Sequence, residues 1–369
     1  MNTTIEFFNT TIAPAAIDAV TDTLRSTRIS AGAKADLFEK KLAERGIVNP
    51  VTVNSGTVTM HLALLASGVG PGDEVIIPAQ TFIATGMAVM YVGATPVFAD
   101  INLYDGNISV KSIEEKITPR TKAIIPVHWA GYPCDMDEIN KIASKYNLSV
   151  IEDAAHAFGA SYKGRPVGSL SRFTSFSFQA IKHLTTGDGG AICCQSTEDA
   201  NLIKRLRWFD IDRENTKTGF LGEREYDAIH VGYKYHMNDL AATLGIENLK
   251  VVDAKLNRIK QIARTYESEL QNITGVELMK YESDRESCYW LFPLLVDNRE
   301  GFIKKMREAN IPVSVVHQGI DKNSLFGGIQ QGLVNQRAFD ERQVHIPIHD
   351  ALTDQQVEKI IDNVRKHIL

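Results

Sequence analysis

Between residue 51 and about residue 195, short apolar runs alternate with longer segments whose apolar positions recur at helical spacing. VTVNSGT closes one strand-like run, and TVTMHLALLASGV then reads as a helix. DEVIIPA, ATPVFADI, TKAIIPVHWAG and NLSVIEDAA read as further strands, with TFIATGMAVMYVG and DMDEINKIASKYN as helices among them. Strands apolar on both faces must be covered by helices on both sides, so the pattern predicts an α/β fold with a mostly parallel central sheet. Right-handed crossovers are expected between successive parallel strands, and ligands at their carboxyl ends. SGT, PAQTF, PVHWAG, EDAAHA and the lysine segment SFSFQAIKHLTTGDGGAI all fall where apolar runs stop, and are expected to share one crevice.

After about residue 198 the pattern turns helical in EDANLIKRLRWFDI, and RENTKTGFLGEREYDAI (213–229) reads as an irregular polar loop. From Asn238, NDLAATLGIENLKVVDAKLNRIKQIARTYESEL reads as a long helix that joins two domains and contains at least one break. YWLFPLLV, the helix REGFIKKMREA, the strand-like IPVSVVH and a last helix, TDQQVEKIIDNVRKHI, give a small α+β domain. The expected division is a large domain over residues 1–250 and a smaller C-terminal one over 251–369.

Composition narrows the function classes. With 369 residues, 44% hydrophobic and 23% charged, the chain can bury one large core and a smaller one. A net charge of −5 without a basic cluster argues against nucleic acid or an anionic membrane as partner. The N-terminal MNTTIEFFNTTIAP lacks the basic and apolar regions of a secretory signal, and no apolar stretch reaches the roughly 18 residues of a membrane span, so a cytoplasmic protein is expected. Cys134, Cys193, Cys194 and Cys288 have no Cys-x-x-Cys spacing and read as buried thiols.

Candidate chemistry collects at the strand ends. Lys182 lies between an alternating apolar run and a glycine-rich turn. A free lysine is a poor nucleophile at neutral pH, but in a closed site it can form an imine with an aldehyde; the plainer alternative is a surface lysine on a turn. Asp153 follows the apolar pair Val150 and Ile151, and a carboxylate at a strand end inside a crevice needs a cation or strong donors. A protonated pyridine nitrogen would serve; a helix N-cap, or a metal held with Glu152 and His156, are the alternatives. Ser55, Gly56 and Thr57 occupy a strand-to-helix turn, suited to a phosphate or to ordinary capping. Ser177 is a second hydroxyl for a phosphate, and Phe82 is either core or a plate against a flat ring. Lysine, carboxylate, hydroxyl-rich helix start and aromatic plate together match pyridoxal 5′-phosphate.

These motifs, with RISAGAKADLFEKKLAE, GDEVIIPAQTFIATGMAVMYVGATPVFADI and GYKYHMNDLAATLG, resemble the sugar-nucleotide aminotransferases of the DegT/StrS type, which are fold type I pyridoxal-phosphate enzymes. The likeness runs over nearly the whole chain. It implies Lys182 as the Schiff-base lysine, Asp153 as partner of the pyridine nitrogen, His156 near the ring's O3′ side, Phe82 stacked on the ring, and Ser55, Gly56, Thr57 and Ser177 at the phosphate. Relatives often carry Asn at the position of Lys234, reaching the phosphate of the neighbouring subunit's cofactor; a lysine would pair with it as a point charge. Arg28, Ser30, His183 and His317 are the implied candidates for substrate contact.

Relatives with histidine in place of the lysine perform dehydration, so Lys182 favours transamination. The resemblance implies a homodimer that moves an amino group from L-glutamate to a nucleotide-linked keto-deoxysugar, at C4 in preference to C3, for surface polysaccharide. The rivals are a non-catalytic, sugar-sensing protein on the same fold and a metal-dependent aldolase or dehydratase built on Asp153 and His156.

Overall fold

The computed structural model describes residues 4–213 and 215–368. Seven strands form the central sheet: β1 (Pro50–Val53), β2 (Glu74–Pro78), β3 (Thr95–Ala99), β4 (Thr121–Ile124), β5 (Ser149–Asp153), β6 (Phe173–Ser177) and β7 (Gly190–Cys194). Their spatial order is β1-β7-β6-β5-β4-β2-β3. The pairs β2·β3, β2·β4, β4·β5 and β5·β6 are parallel, whereas β7 runs antiparallel to β6 and β1. The α/β class and mostly parallel sheet expected from the pattern are therefore present.

Successive side chains of a strand leave on opposite faces. Ile76, Ile124, Val150, Phe176 and Cys193 enter one buried cluster, while Val75, Ile77, Ala123, Ile151, Ile192 and Cys194 enter another. Helices α1 (Ala33–Ala43) and α4 (Met136–Tyr146) cover the first face; α2 (Gly56–Ala66) and α3 (Ile83–Tyr91) cover the second. The adjacent Cys193 and Cys194 are thus separated by the sheet, and all four cysteines are free and buried.

The long helix α5 (Asp239–Leu270) has no break, contrary to expectation. It contains no proline, and the Asn238 side chain caps it by accepting the Ala241 N–H at 2.9 Å. Its one glycine, Gly245, lets other chains approach: a Cβ there would lie 2.7 Å from Cζ of Phe38 and 2.8 Å from Cγ2 of Thr186. Val252 and Leu256 belong to the cluster on the sheet, whereas Ile259 through Leu270 enter a third cluster with β9 (Phe292–Val296), β10 (Gln343–Ile346) and α6 (Asp354–His367). Strand β8 (Val276–Leu278) completes this small antiparallel sheet, ordered β8-β9-β10.

Two local readings need revision, and one segment was not read. The 213–229 segment is not wholly irregular: Lys217–Thr218 pairs with Arg224–Glu225 as a short hairpin, with Glu214 outside the described residues. IPVSVVH forms no strand; its backbone pairs with β10 through an isolated bridge between Ser314 and His345. Residues 4–13 form a strap with little regular structure, on which the pattern gave no reading. Gln356 donates to the Thr4 carbonyl at 3.3 Å, Thr10 donates to the Ala180 carbonyl at 2.9 Å, and the Ala13 N–H reaches Asn248 Oδ1 at 2.8 Å.

Gly245→Ala tests whether helix propensity or packing governs α5. Alanine raises helix propensity by about 1 kcal/mol, but overpacking against fully buried Phe38 costs about 1–3 kcal/mol. The expected result is a lower denaturant midpoint with an unchanged m-value.

Candidate active site

Strand β5 ends in Asp153, on the face opposite Glu152. Glu152 accepts from Thr174 Oγ1 at 3.0 Å and meets His128 Nε2 at 2.8 Å. The Cys134 N–H donates to His128 Nδ1 at 3.1 Å, so the imidazole's proton sits on Nε2 and is given to Glu152. Glu152 is therefore turned away from Asp153 and His156, and the three groups needed by the metal reading are not brought together. Asp153 instead accepts from Thr85 Oγ1 at 2.8 Å and from the Ala155 N–H at 3.1 Å. Burial pushes its carboxyl up, opposed by these two donors and more weakly by the Lys182 charge.

The lysine segment is a closed loop, and its threonines and glycines account for that closure. Phe178 N–H donates to the Gly189 carbonyl at 2.9 Å, and Thr186 N–H donates to the Phe178 carbonyl at 2.9 Å. Thr185 Oγ1 accepts the Gly187 N–H at 3.0 Å, and Thr186 Oγ1 donates to the Asp188 carbonyl at 2.8 Å. Gly187 adopts φ +82°, where a side chain would be strained. Asn248 from α5 anchors the loop by donating to the Thr185 carbonyl at 2.8 Å. Lys182 projects from this frame into a crevice of about 360 Å³, where burial pulls its amine down to about 7.

Gly56 opens α2 with no side-chain cap from Ser55. A Cβ on Gly56 would stand 2.7 Å from Ser177 Cβ and 3.0 Å from its Oγ, so glycine brings the free helix N-terminus against that hydroxyl. Ser55, Gly56, Thr57, Phe82, Asp153, His156, Ser177, Lys182 and His317 all line the same crevice. The convergence expected from the strand ends thus holds for SGT, PAQTF, EDAAHA and the lysine loop, and Val127 brings in PVHWAG. Phe82 is 56% exposed, which excludes a core role, and its ring stands 5.3 Å from that of His317.

Four other predicted residues lie elsewhere. Arg28 and Ser30 are exposed and outside the crevice. His183 is buried and does not line the cavity. Burial lowers its imidazole to about 3, followed by the charges of Lys255 and Lys182. Lys234 is exposed and outside its own chain's crevice, with Nζ 5.8 Å from the Trp208 ring centroid.

Sequence reasoning missed Thr85 and Trp290. Thr85 had a signal, since it follows Phe82 by one helical turn and so shares its side of α3. Trp290 had none; it arrives from just before β9, and its ring stacks on His156 at 3.7 Å.

Residues 10–365 match the DegT/DnrJ/EryC1/StrS aminotransferase family. The chain belongs to that family. It is 37% identical over 362 residues to the spore coat polysaccharide biosynthesis protein SpsC of Bacillus subtilis, covering 95% of this chain and 93% of that one. It is 34% identical over 362 residues to the UDP-4-amino-4-deoxy-L-arabinose–oxoglutarate aminotransferase of Shewanella sediminis, covering 94% and 93%. Among solved structures, AtS13 from Actinomadura melliaura superposes with a TM-score of 0.94 at 34% identity, covering 98% of each chain. The sugar aminotransferase CalS13 from Micromonospora echinospora gives 0.93 at 30% identity, covering 98% and 99%.

This family member is a pyridoxal-phosphate-dependent aminotransferase. Its crevice fits the cofactor on three independent counts. The uncapped α2 start and Ser177 offer donors for a phosphate. Among the described residues, Asp153 is a buried carboxylate with only uncharged donors in hydrogen-bond contact, which suits a protonated ring nitrogen. His156 Nδ1 is buried without a hydrogen-bond partner among the described residues.

Two outcomes follow. Gly56→Ala drives α2 and Ser177 apart, so cofactor affinity should fall by roughly tenfold or more, about 1.4 kcal/mol, in an absorbance titration. An amine lowered to about 7 should capture pyridoxal phosphate at a rate that rises with pH to a plateau, with a midpoint near neutrality and far below the ordinary 10.5 of lysine. The sign follows because only the neutral amine attacks.

Proposed function

We propose that this enzyme moves an amino group from L-glutamate to a nucleotide-linked keto-deoxysugar, at C4, during synthesis of a surface polysaccharide in the cytoplasm. The observation that carries the reading is the meeting of the Lys182 amine, the Asp153 carboxylate and the Gly56–Ser177 turn in one crevice. Two relatives supply the finer support. One is named for a 4-amino sugar on UDP and for oxoglutarate, the keto acid that L-glutamate leaves behind; the other is named for spore coat polysaccharide.

When bound, pyridoxal phosphate supplies an aldehyde for an amine and a ring that draws electrons from the carbon beside it. The chain's residues hold and feed that chemistry in this proposal. Lys182, with an amine near 7, is poised to accept and return a proton at neutral pH. Asp153, oriented by Thr85, holds positive charge at the crevice floor. His156 presents Nδ1, and burial holds its imidazole neutral, so it acts through a hydrogen bond rather than a charge. The α2 N-terminus and Ser177 anchor the phosphate, and Phe82 with His317 flanks the mouth where the sugar would enter.

A homodimer belongs to the proposal. Phe220 is wholly exposed at the tip of the Lys217–Glu225 hairpin, and Leu221, Ile229 and Val231 are also exposed, an apolar patch suited to a second copy of the chain. Lys234, outside its own crevice, would reach the partner's phosphate site. Among the described residues, no helix is long and apolar enough to cross a membrane.

The test is a pair of half-reactions. L-Glutamate should remove the visible band of the cofactor-loaded protein, and one UDP-, GDP- or dTDP-linked 4-keto sugar should restore it. Lys182→Ala should lack both the band and the pyridoxyl label fixed by borohydride. A protein that binds keto-sugars yet never responds to L-glutamate would instead be the sugar-sensing rival, and restoration by 3-keto sugars alone would move the reaction to C3.

A further inference from the structure

Trp290 comes from the C-terminal part of the chain, yet it touches both reactive nitrogens of the crevice. The Lys182 Nζ lies 3.5 Å from the Trp290 ring centroid. The His156 ring stacks on Trp290 at 3.7 Å with 16° between the planes. The indole itself is fixed at two points. Its Nε1–H donates to the Ile181 carbonyl at 3.1 Å, which ties it to the residue before the lysine. Phe8, from the N-terminal strap, stacks on it at 5.5 Å and 25°. The strap is in turn pinned to the lysine loop by Thr10 through the Ala180 carbonyl.

We propose that Trp290 is a positioning residue for Lys182 and His156: its indole, seated by Phe8 and the Ile181 carbonyl, sets where the amine and the imidazole stand relative to each other. The inference rests on Lys182 being the point of cofactor attachment. An indole face attracts an ammonium through its quadrupole and gives a flexible four-carbon side chain one preferred resting place. The titratable groups around the amine are Asp153, His156, His183, Cys288 and His317. Burial keeps the three imidazoles neutral and holds the Cys288 thiol up at about 12, so it too is uncharged. The Asp153 carboxylate and the indole face are therefore what favour the charged amine, against the burial that opposes it.

The experiment compares the full-length, cofactor-free protein with Trp290→Phe and Trp290→Leu, following pyridoxal phosphate capture by visible absorbance across a pH series. Leucine keeps water out but has no π face. Its midpoint should fall by about 0.5–1.5 pH units, with a slower plateau rate as the amine loses its seat, while phenylalanine, which keeps an aromatic face but not the Nε1–H, should shift it by less. An unchanged midpoint in Trp290→Leu, or equal shifts in both variants, overturns the inference and makes Trp290 a space-filling residue. Should Trp290→Leu fail to fold by near-ultraviolet circular dichroism, Trp290→Met removes the same face with a more adaptable side chain. Wild-type protein that captures no cofactor would overturn the attachment reading itself, a result distinct from variants that capture with unmoved midpoints.

Discussion

A carboxylate buried beneath a cavity, held by two uncharged hydrogen-bond donors, is the constraint on which this molecule is organised. Asp153 costs free energy where it stands, because burial disfavours its charged form and the Thr85 hydroxyl and Ala155 N–H compensate only in part. A protonated aromatic nitrogen brought against it would relieve that cost, which is the role proposed for the cofactor's ring. The surrounding polar groups are arranged to leave Asp153 in this condition. Glu152, its neighbour, is fully hydrogen-bonded to His128 and Thr174 on the other side of the sheet and cannot act as a second acid in the crevice.

The crevice is built by parts of the chain that carry different kinds of rigidity. The sheet fixes Asp153 and Ser177 through strand register, since β5 and β6 pair directly with Asp153 opposite Ser175. The lysine loop is fixed by its own hydroxyls and by Asn248 from α5. The C-terminal part adds Trp290 and His317. His317 is held through its carbonyl by Gln80, a buried glutamine just before Phe82 that also meets Gln336 and Gln343. The two sides of the mouth, Phe82 and His317, are thus joined by one buried amide network rather than by the loop ends alone.

Electrostatics in the crevice favours proton movement over fixed charge. Burial lowers Lys182 to about 7 and drives His156 and His317 down, the latter to about 3. The lysine is the group placed to change its protonation near neutrality, while the histidines offer hydrogen bonds without competing for the proton. That division of roles comes from one physical cause, the removal of water, acting on bases with different starting affinities.

The sequence by itself determined the α/β class, the apolar strands and the residues at their carboxyl ends, because strand and helix periodicities are local and glycine marks where backbone must approach closely. Lys182, Asp153, Gly56 and Phe82 were legible for that reason: each ends or follows an apolar run. Tertiary structure alone decided that Trp290, backed by Phe8, closes on Lys182, that His183 faces away from the cavity while Lys182 enters it, and that α5 passes unbroken between two cores. Contacts between residues hundreds of positions apart leave no periodic trace in the chain. The interruption expected in α5 was removed by packing, since Gly245, a weak helix former, is the residue that lets Phe38 and Thr186 approach.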